Sequence, residues 1–475
     1  MTEKTTEQAT PALPREMNLR DLVLFNLAAL IGLTWVATAA KAGPSAITLW
    51  LVAALLFFVP QGLAVVELSS HFPDEGGIYA WTKREFGTGH GFLCGWCYWI
   101  NNVLFYPSVL FSIAALAAYA IDPAGDLDER WTFVLPFTLV MLWAAATFNA
   151  VGVGRGKWLQ NCGGASTYVC GAVLVAFGAY GVLTSEPANA FTLASLRPSF
   201  SDISSLNFWA TIAFAFAGLE LSSTMGSEIK EPRRNLPLSI YVAAPLAALV
   251  YILGTGAVLW YLPAGELEVI PAPFQAIAVG ANRLSASLWW LAPATAALAA
   301  FGRLGGLGAW LTGPARVAFT VGLDRYFPAA FGRVHPRWRT PHVAIFTQAA
   351  IATLFVFFAV LGRGTTVERA FLVLIDMSLL IYFIPYVYLF LCFVRHLGRT
   401  PPERVNVPGG RVAGMLLGTC GLLTTLFAMA VAVIPPPDTP SPAMFVLKVG
   451  GGSLLIVLAS GLIYWRARRR RVELN

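Results

Sequence analysis

The chain has 475 residues and a net charge of +7; 57% of its residues are hydrophobic and 12% are charged. A soluble domain carries about 25% charged residues, so this composition excludes an ordinary soluble enzyme or binding module. The basic residues sit in short segments between apolar runs, which makes membrane orientation, not nucleic-acid binding, the reading of the positive balance.

Residues 1–17, with Pro11 and Pro14, are polar and read as a disordered cytoplasmic tail. The apolar stretch that follows is too long for a signal peptide and lacks a cleavage site. Apolar runs of about 20 residues, the length that crosses the hydrocarbon core, then recur. The predicted spans are 18–41, 45–69, 91–121, 131–150, 158–184, 206–228, 238–262, 286–315, 341–361, 367–394, 412–434 and 443–465. The expected fold class is an all-α membrane protein of about twelve transmembrane helices. Of the 32 Lys and Arg residues, 23 fall in the tails and one alternate set of loops, 7 on the other side, and Arg303 and Arg316 in or at the end of span 8. Each Lys or Arg resists translocation, so the bias predicts that both termini are cytoplasmic in a multi-pass protein of the plasma (inner) membrane. The closing basic tail, 466–475, contains Arg468 to Arg471 and suits an anchor to anionic lipid.

Two spans are not plain apolar helices. Span 1 contains Leu30-Ile31-Gly32-Leu33-Thr34-Trp35, and span 6 reads Phe214-Ala215-Phe216-Ala217-Gly218-Leu219-Glu220-Leu221-Ser222-Ser223-Thr224. Taken singly, each glycine is explained by close helix packing. Two such segments five spans apart run in opposite directions, as expected of an inverted repeat whose discontinuous helices form a midplane site. A half-helix beginning near Thr34 aims free N–H groups at an anionic group, and carbonyls freed near Leu30, Phe214 and Ala217 accept from an ammonium. These are the two ends shared by every α-amino acid.

Further signals lie in the loops. Pro73-Asp74-Glu75-Gly76-Gly77-Ile78-Tyr79-Ala80-Trp81 follows span 2. Glu228-Ile229-Lys230-Glu231-Pro232-Arg233-Arg234-Asn235-Leu236-Pro237 follows span 6 and reads either as a solvated turn or as a set of ion pairs that open and close. Together with Gly218-Leu219-Glu220, Gly305-Gly306-Leu307-Gly308-Ala309-Trp310, Asp324-Arg325-Tyr326-Phe327-Pro328 and His335-Pro336-Arg337-Trp338-Arg339-Thr340-Pro341, these stretches resemble the amino acid–polyamine–organocation transporters. The resemblance runs from about Asn18 to the end of span 10, and more loosely to the C-terminus.

That resemblance implies the leucine-transporter fold. It comprises a first five-helix repeat over 18–184, a second, inverted one over 206–394, and two additional helices over 412–465. It also implies alternating-access transport of amino acids, by exchange or proton symport, with polyamines or other organic amines as the alternative cargo. It assigns the substrate carboxylate to backbone groups of Leu33, Thr34 and Trp35, and the amine to carbonyls of Leu30, Phe214 and Ala217. The side-chain pocket falls to Cys97, Tyr98, Asn102 and Phe105, and Phe214 and Trp310 take the places of aromatic gates. The sequence departs from the family where Thr34 stands two residues after Gly32, in place of a second glycine. It departs again at 161–167, which lacks the lysine some proton-coupled relatives carry.

Four ionisable residues in or at the edge of spans bear on a site: Glu67, Glu220, Arg303 and Asp376. Glu67 is near enough to a span end to reach the interface. Arg303 has two readings: an internal pair with Glu220 or Asp376, or recognition of an acidic substrate side chain. Glu220, Arg303, Trp310 and Asp376 are therefore the candidate gating or coupling residues. No Gly-x-Ser-x-Gly or phosphate-binding loop is present, and the five histidines have no metal-ligand spacing, so neither catalysis, a metal nor a cofactor is expected. The six cysteines all fall inside predicted spans and imply no disulfide framework. The expected partners are an amino acid or amine, membrane lipid and, as coupling ion, protons; nothing identifies a partner subunit.

Overall fold

The computed structural model describes residues 13–198, 209, 212–361, 366–435 and 441–473, with the backbone alone for 361, 366–376 and 471–473. The described chain is helical with two isolated backbone bridges, Met17 to Ile229 and Glu75 to Met225. The helices are α1 (Leu19–Leu30), α2 (Leu33–Ala40), α3 (Ser45–His71), α4 (Ile78–Phe86), α5 (Thr88–Ile121), α6 (Trp131–Ala150), α7 (Val153–Thr184), α8 (Pro232–Tyr261), α9 (Ala272–Leu284), α10 (Leu291–Leu323), α11 (His342–Leu361), α12 (Thr366–Arg399), α13 (Gly410–Ala432) and α14 (Pro442–Arg470). Ten stretches of the described chain are long and apolar enough to cross a membrane, α1 and α2 counting together as one. The remaining two of the twelve expected spans are α10, diluted by glycines and two arginines, and the span-6 segment. The latter is helical up to Ala215, irregular beyond it, and in part outside the described residues.

Local chemistry accounts for the interruptions. The Asn18 side chain accepts from Asp21 N while Asp21 accepts from Asn18 N, a reciprocal cap that starts α1. In α3, Ala54–Phe58 forms a turn of π-helix immediately before Pro60, whose missing N–H cannot sustain the regular ladder. Span 1 breaks at Ile31 and Gly32, both extended, so α2 opens in the middle of the span; Trp35 N, expected to help hold a carboxylate, is instead bonded to Gly32 O at 2.9 Å. In the span-6 segment, helix ends near Ala215, the chain is irregular through Gly218, and two short 3₁₀ turns follow, Leu221–Thr224 and Gly226–Glu228.

The helices α10, α7 and α5 form the centre of the packing. A Cβ on Gly163 of α7 would lie 2.6 Å from the Gly305 Cα of α10, so the two backbones approach as only glycine permits. The outward faces carry exposed Leu, Phe and Val side chains, and Trp131, Trp158, Trp289 and Trp465 are exposed near helix ends, where interfacial anchors belong.

One end of the bundle carries most of the basic loops and is called the basic face below. There the N-terminal strap hydrogen-bonds the segment after the span-6 break: Glu16 N and Met17 N donate to Glu228 O at 2.9 and 3.1 Å, and Lys230 N donates to Met17 O at 2.9 Å. Gly76 N donates to Thr224 O at 2.9 Å from the 72–77 loop. Ser227 N and Oγ donate to the Glu75 carboxylate at 3.0 and 2.5 Å. Arg316 of α10 grips the Glu228 carboxylate through Nε at 3.1 Å and Nη2 at 3.0 Å, with both side chains fully buried. Of the two readings of the mixed-charge segment, ion pairs apply chiefly at Glu228, whose partner comes from α10. Glu231 and Arg234 form only an exposed pair at 3.5 Å.

Candidate substrate site

The two interrupted spans meet around one hydroxyl. Tyr251 of α8 donates to Leu30 O at 2.5 Å, has Ala215 O as a second acceptor at 3.2 Å, and accepts from Gly32 N at 3.2 Å. A single side chain thus satisfies backbone groups that both breaks leave in the core. Tyr251 is itself stacked on Trp50, with ring centroids 4.6 Å apart. Sequence reasoning missed it because one tyrosine in an apolar span carries no signal of its target.

Beside this junction lies a cavity of about 50 Å³, bounded by Leu30, Trp35, Asn101, Asn102, Phe105, Phe214, Ala217, Arg303, Trp310 and Tyr382, among others. Phe214 is the hub of the aromatic wall. Its ring meets Trp35 edge-on at 5.7 Å, Phe105 at 6.1 Å and Tyr382 at 5.1 Å, between centroids. Trp310 closes another side: its indole N–H donates to Ala29 O at 3.0 Å, and its backbone carbonyl accepts from Tyr106 Oη at 2.9 Å. Gly218 has φ +125°, and a Cβ there would approach the Trp310 ring to 3.0 Å. Both the backbone angle and the close ring demand glycine at this point.

Two polar atoms of the wall residues are left without partners. Asn101 Oδ1 and Arg303 Nε are covered and without a hydrogen-bond partner among the described residues. Leu30 O and Phe214 O each accept one bond, from Tyr251 and from Ala217 N, and each carbonyl retains a second lone pair. Leu33 and Thr34 border a smaller adjoining space that also touches Arg303. Arg303 therefore stands between the cavity and the start of α2.

Of the sequence-predicted residues, the structure gathers Leu30, Trp35, Asn102, Phe105, Phe214, Ala217, Arg303 and Trp310 on the cavity and Leu33 and Thr34 beside it. Cys97 does not border it; the thiol packs in a separate apolar cluster with Met377, Ile381 and Val449. Tyr98 and Glu220 lie apart from the cavity wall, joined to each other. Tyr98 Oη, Gln61 Nε2 and Tyr386 Oη donate to the buried Glu220 carboxylate at 3.1, 3.0 and 2.8 Å. Tyr386 in turn touches Tyr382 Oη at 3.0 Å, which links this carboxylate to the cavity wall. The pair between Arg303 and Glu220 weighed from sequence does not form, because Glu220 is already held by three neutral donors. The Asp376 side chain lies outside the described residues. Of the additional wall residues, Gly306 and Leu307 were signalled by spacing, one helical turn after Arg303; Asn101 adjoins the predicted Asn102, and nothing in the sequence signalled Tyr382.

Glu67 differs from its expected place at the interface. It is fully buried, accepts from Asn406 N at 2.8 Å, and lies 3.6 Å from His71 and 3.4 Å from His396. Residues far apart in sequence thus form the one group among those described whose ligand atoms are close enough to hold a metal ion, all within 4.8 Å. His71 Nδ1 is 3.0 Å from Glu67 O and His396 Nε2 is 3.1 Å from Thr400 Oγ1, so the cluster is hydrogen-bonded as it stands.

The model of the family described as amino acid permease matches residues 18–459. The chain belongs to that family. An uncharacterized transporter of Legionella pneumophila is 29% identical over 93% of this chain and 95% of its own length. A glutamate/gamma-aminobutyrate antiporter of Lactococcus lactis is 24% identical over 81% of this chain and 77% of its own. A probable agmatine/putrescine antiporter of the same species is 23% identical over 92% of each. With its apolar helices, this permease is an all-α, multi-pass membrane transport protein.

Proposed function

We propose that the chain is a secondary transporter that moves amino acids by alternating access, by exchange or with protons, and binds its cargo where the two interrupted spans meet. The observation that carries this reading is the cavity beside the Gly32 and Gly218 breaks, which is lined by residues of both interrupted spans and an aromatic wall, with the start of α2 on an adjoining space that shares Arg303. The α-carboxylate is placed at the start of α2, near Leu33 and Thr34. The amine is placed against Leu30 O, Phe214 O and Ala217 O, with Asn101 Oδ1 as a further acceptor. Phe214 and Trp310 are the moving walls. We also assign the two five-helix repeats to 18–184 and 206–394, with both termini in the cytoplasm of a cell whose inner membrane holds the protein; the basic-loop bias supports this orientation.

The relatives' names divide between amino acids and polyamines. Arg303 is the one charged side chain on the described cavity wall. Two like charges about 5 Å apart repel by about 3 kcal/mol at an effective dielectric near 20, so a dicationic polyamine is the poorer cargo here.

Purified protein in proteoliposomes, loaded with unlabelled substrate and given a panel of labelled amino acids and amines, tests the reading. Counterflow of at least one amino acid, lost in Trp310→Ala, is expected. Absence of flux for the whole panel under substrate, proton and sodium gradients overturns it.

A further inference from the structure

Four cavity-lining residues of α10, Arg303, Gly306, Leu307 and Trp310, follow one another at spacings of three, one and three, so they form a single helical stripe. The adjacent stripe is occupied: Gly302 and Gly305 pack directly on Gly163 and Thr167 of α7. That contact pins α10 and leaves Arg303 directed at the cavity. Its guanidinium lies over the break in span 1, where a Cβ on Gly32 would come within 2.9 Å of Nη1. Arg303 is half-buried, its Nε is covered and unpartnered, and it makes no ion pair with any described carboxylate. Guanidinium stays protonated in any protein setting, and a fixed charge at membrane depth calls for a counter-charge or water. Glu220, the buried acid beyond the cavity wall, already accepts from Gln61, Tyr98 and Tyr386.

We propose that Arg303 is the specificity-determining residue of the cavity and that its counter-charge is the side-chain carboxylate of an acidic amino acid. Two anion receptors then stand side by side. The N–H groups opening α2 take the α-carboxylate, common to every amino acid, and the planar fork of Arg303 takes the second carboxylate in a bidentate pair. Asn101 Oδ1 and the carbonyls of the two breaks take the ammonium between them. The inference rests on the transport reading above.

Full-length protein is reconstituted in vesicles of phosphatidylethanolamine and phosphatidylglycerol. Counterflow is measured with labelled L-glutamate, with its neutral isostere L-glutamine and with putrescine. Wild type is expected to favour glutamate over glutamine by at least tenfold in kcat/KM. In Arg303→Gln the glutamate-to-glutamine ratio falls at least tenfold, while Arg303→Lys, which keeps the charge but not the fork, lies between. As a measurement independent of flux, glutamate raises the thermal unfolding temperature of the wild type in detergent and not that of Arg303→Gln. A wild type that takes glutamine as readily as glutamate overturns the inference and leaves the transport reading intact. So does a ratio unchanged by Arg303→Gln. Loss of transport in both Arg303→Gln and Asp376→Asn, restored in the double variant, also overturns it by assigning Arg303 to an internal pair. Flux of none of the three compounds, with no stabilisation by any, overturns the transport reading itself.

Discussion

Two arginines thirteen residues apart on α10 have opposite surroundings. Arg316 is fully buried and bound twice to Glu228, which lies in the segment below the span-6 break. Arg303 faces a cavity and has no acidic partner among the described residues. The first charge is consumed in closing the basic face. The second is held ready by glycine packing and a helix break. Burial of an ionisable residue in a membrane protein is therefore no sign of its role; what separates a structural charge from an available one is whether the fold itself supplies the counter-charge.

The sharpest way to break the comparison is to remove the structural charge. Arg316→Ala leaves Glu228 buried without its cation and close to a second carboxylate, Glu75. Loss of one member of a buried pair costs about 3–5 kcal/mol, so a large drop in thermal unfolding temperature in detergent is expected, much greater than for Arg303→Gln. Equal drops for the two variants would place both arginines in structural pairs.

A smaller effect is expected at the cavity wall. Gly218→Ala forces a side chain onto a backbone at φ +125° and against the Trp310 ring. Strained backbone of this kind costs about 1–3 kcal/mol. Counterflow should fall more than stability does if Trp310 is the moving wall that we propose, because the strain is applied against its ring; unfolding and flux measured on the same preparation check this.

The smallest effect concerns pH. Burial, followed by the neighbouring Glu228 carboxylate, pushes Glu75 up to about 8, against the favourable Ser227 bonds and the Arg316 charge. A carboxyl that holds its proton more tightly in the closed form than in the opened one loses closed-state stability as pH rises from its ordinary value toward 8, and no further above that. Opening of the seal should increase about tenfold, or about 1.4 kcal/mol, per pH unit in that window. Amide-exchange protection of residues 222–228 at pH 6 and 7 measures it, and Glu75→Gln should flatten the response.

Much of the membrane architecture was legible in one dimension. Length and hydropathy placed α6 at 131–150 and α11 at 341–361, where the structure has Trp131–Ala150 and His342–Leu361. The reason is that lipid imposes a repeat length that any apolar run must meet. The breaks at Gly32 and Gly218 were legible too, because glycine and small polar residues weaken a helix whatever packs around it. Cys97 was drawn toward the site by its place in a motif-like stretch, yet its face of α5 turns to Met377 and Ile381; rotation about a helix axis is set by neighbours the sequence does not order.

What the sequence by itself determined is therefore the class of molecule, most of its spans and the two places where helices must open, since these follow from local propensity and from the solvent; its family was legible only through the resemblance of its motifs. What only the tertiary structure decided is which groups share an environment. Tyr251 bridging both breaks, Glu220 held by two tyrosines and a glutamine, and Glu67 between two histidines each join residues from distant segments. The fates of Arg303 and Arg316 belong to the same set. Their charge is written in the chain, but a counter-charge is a distance, and distances between segments exist only once the helices have packed.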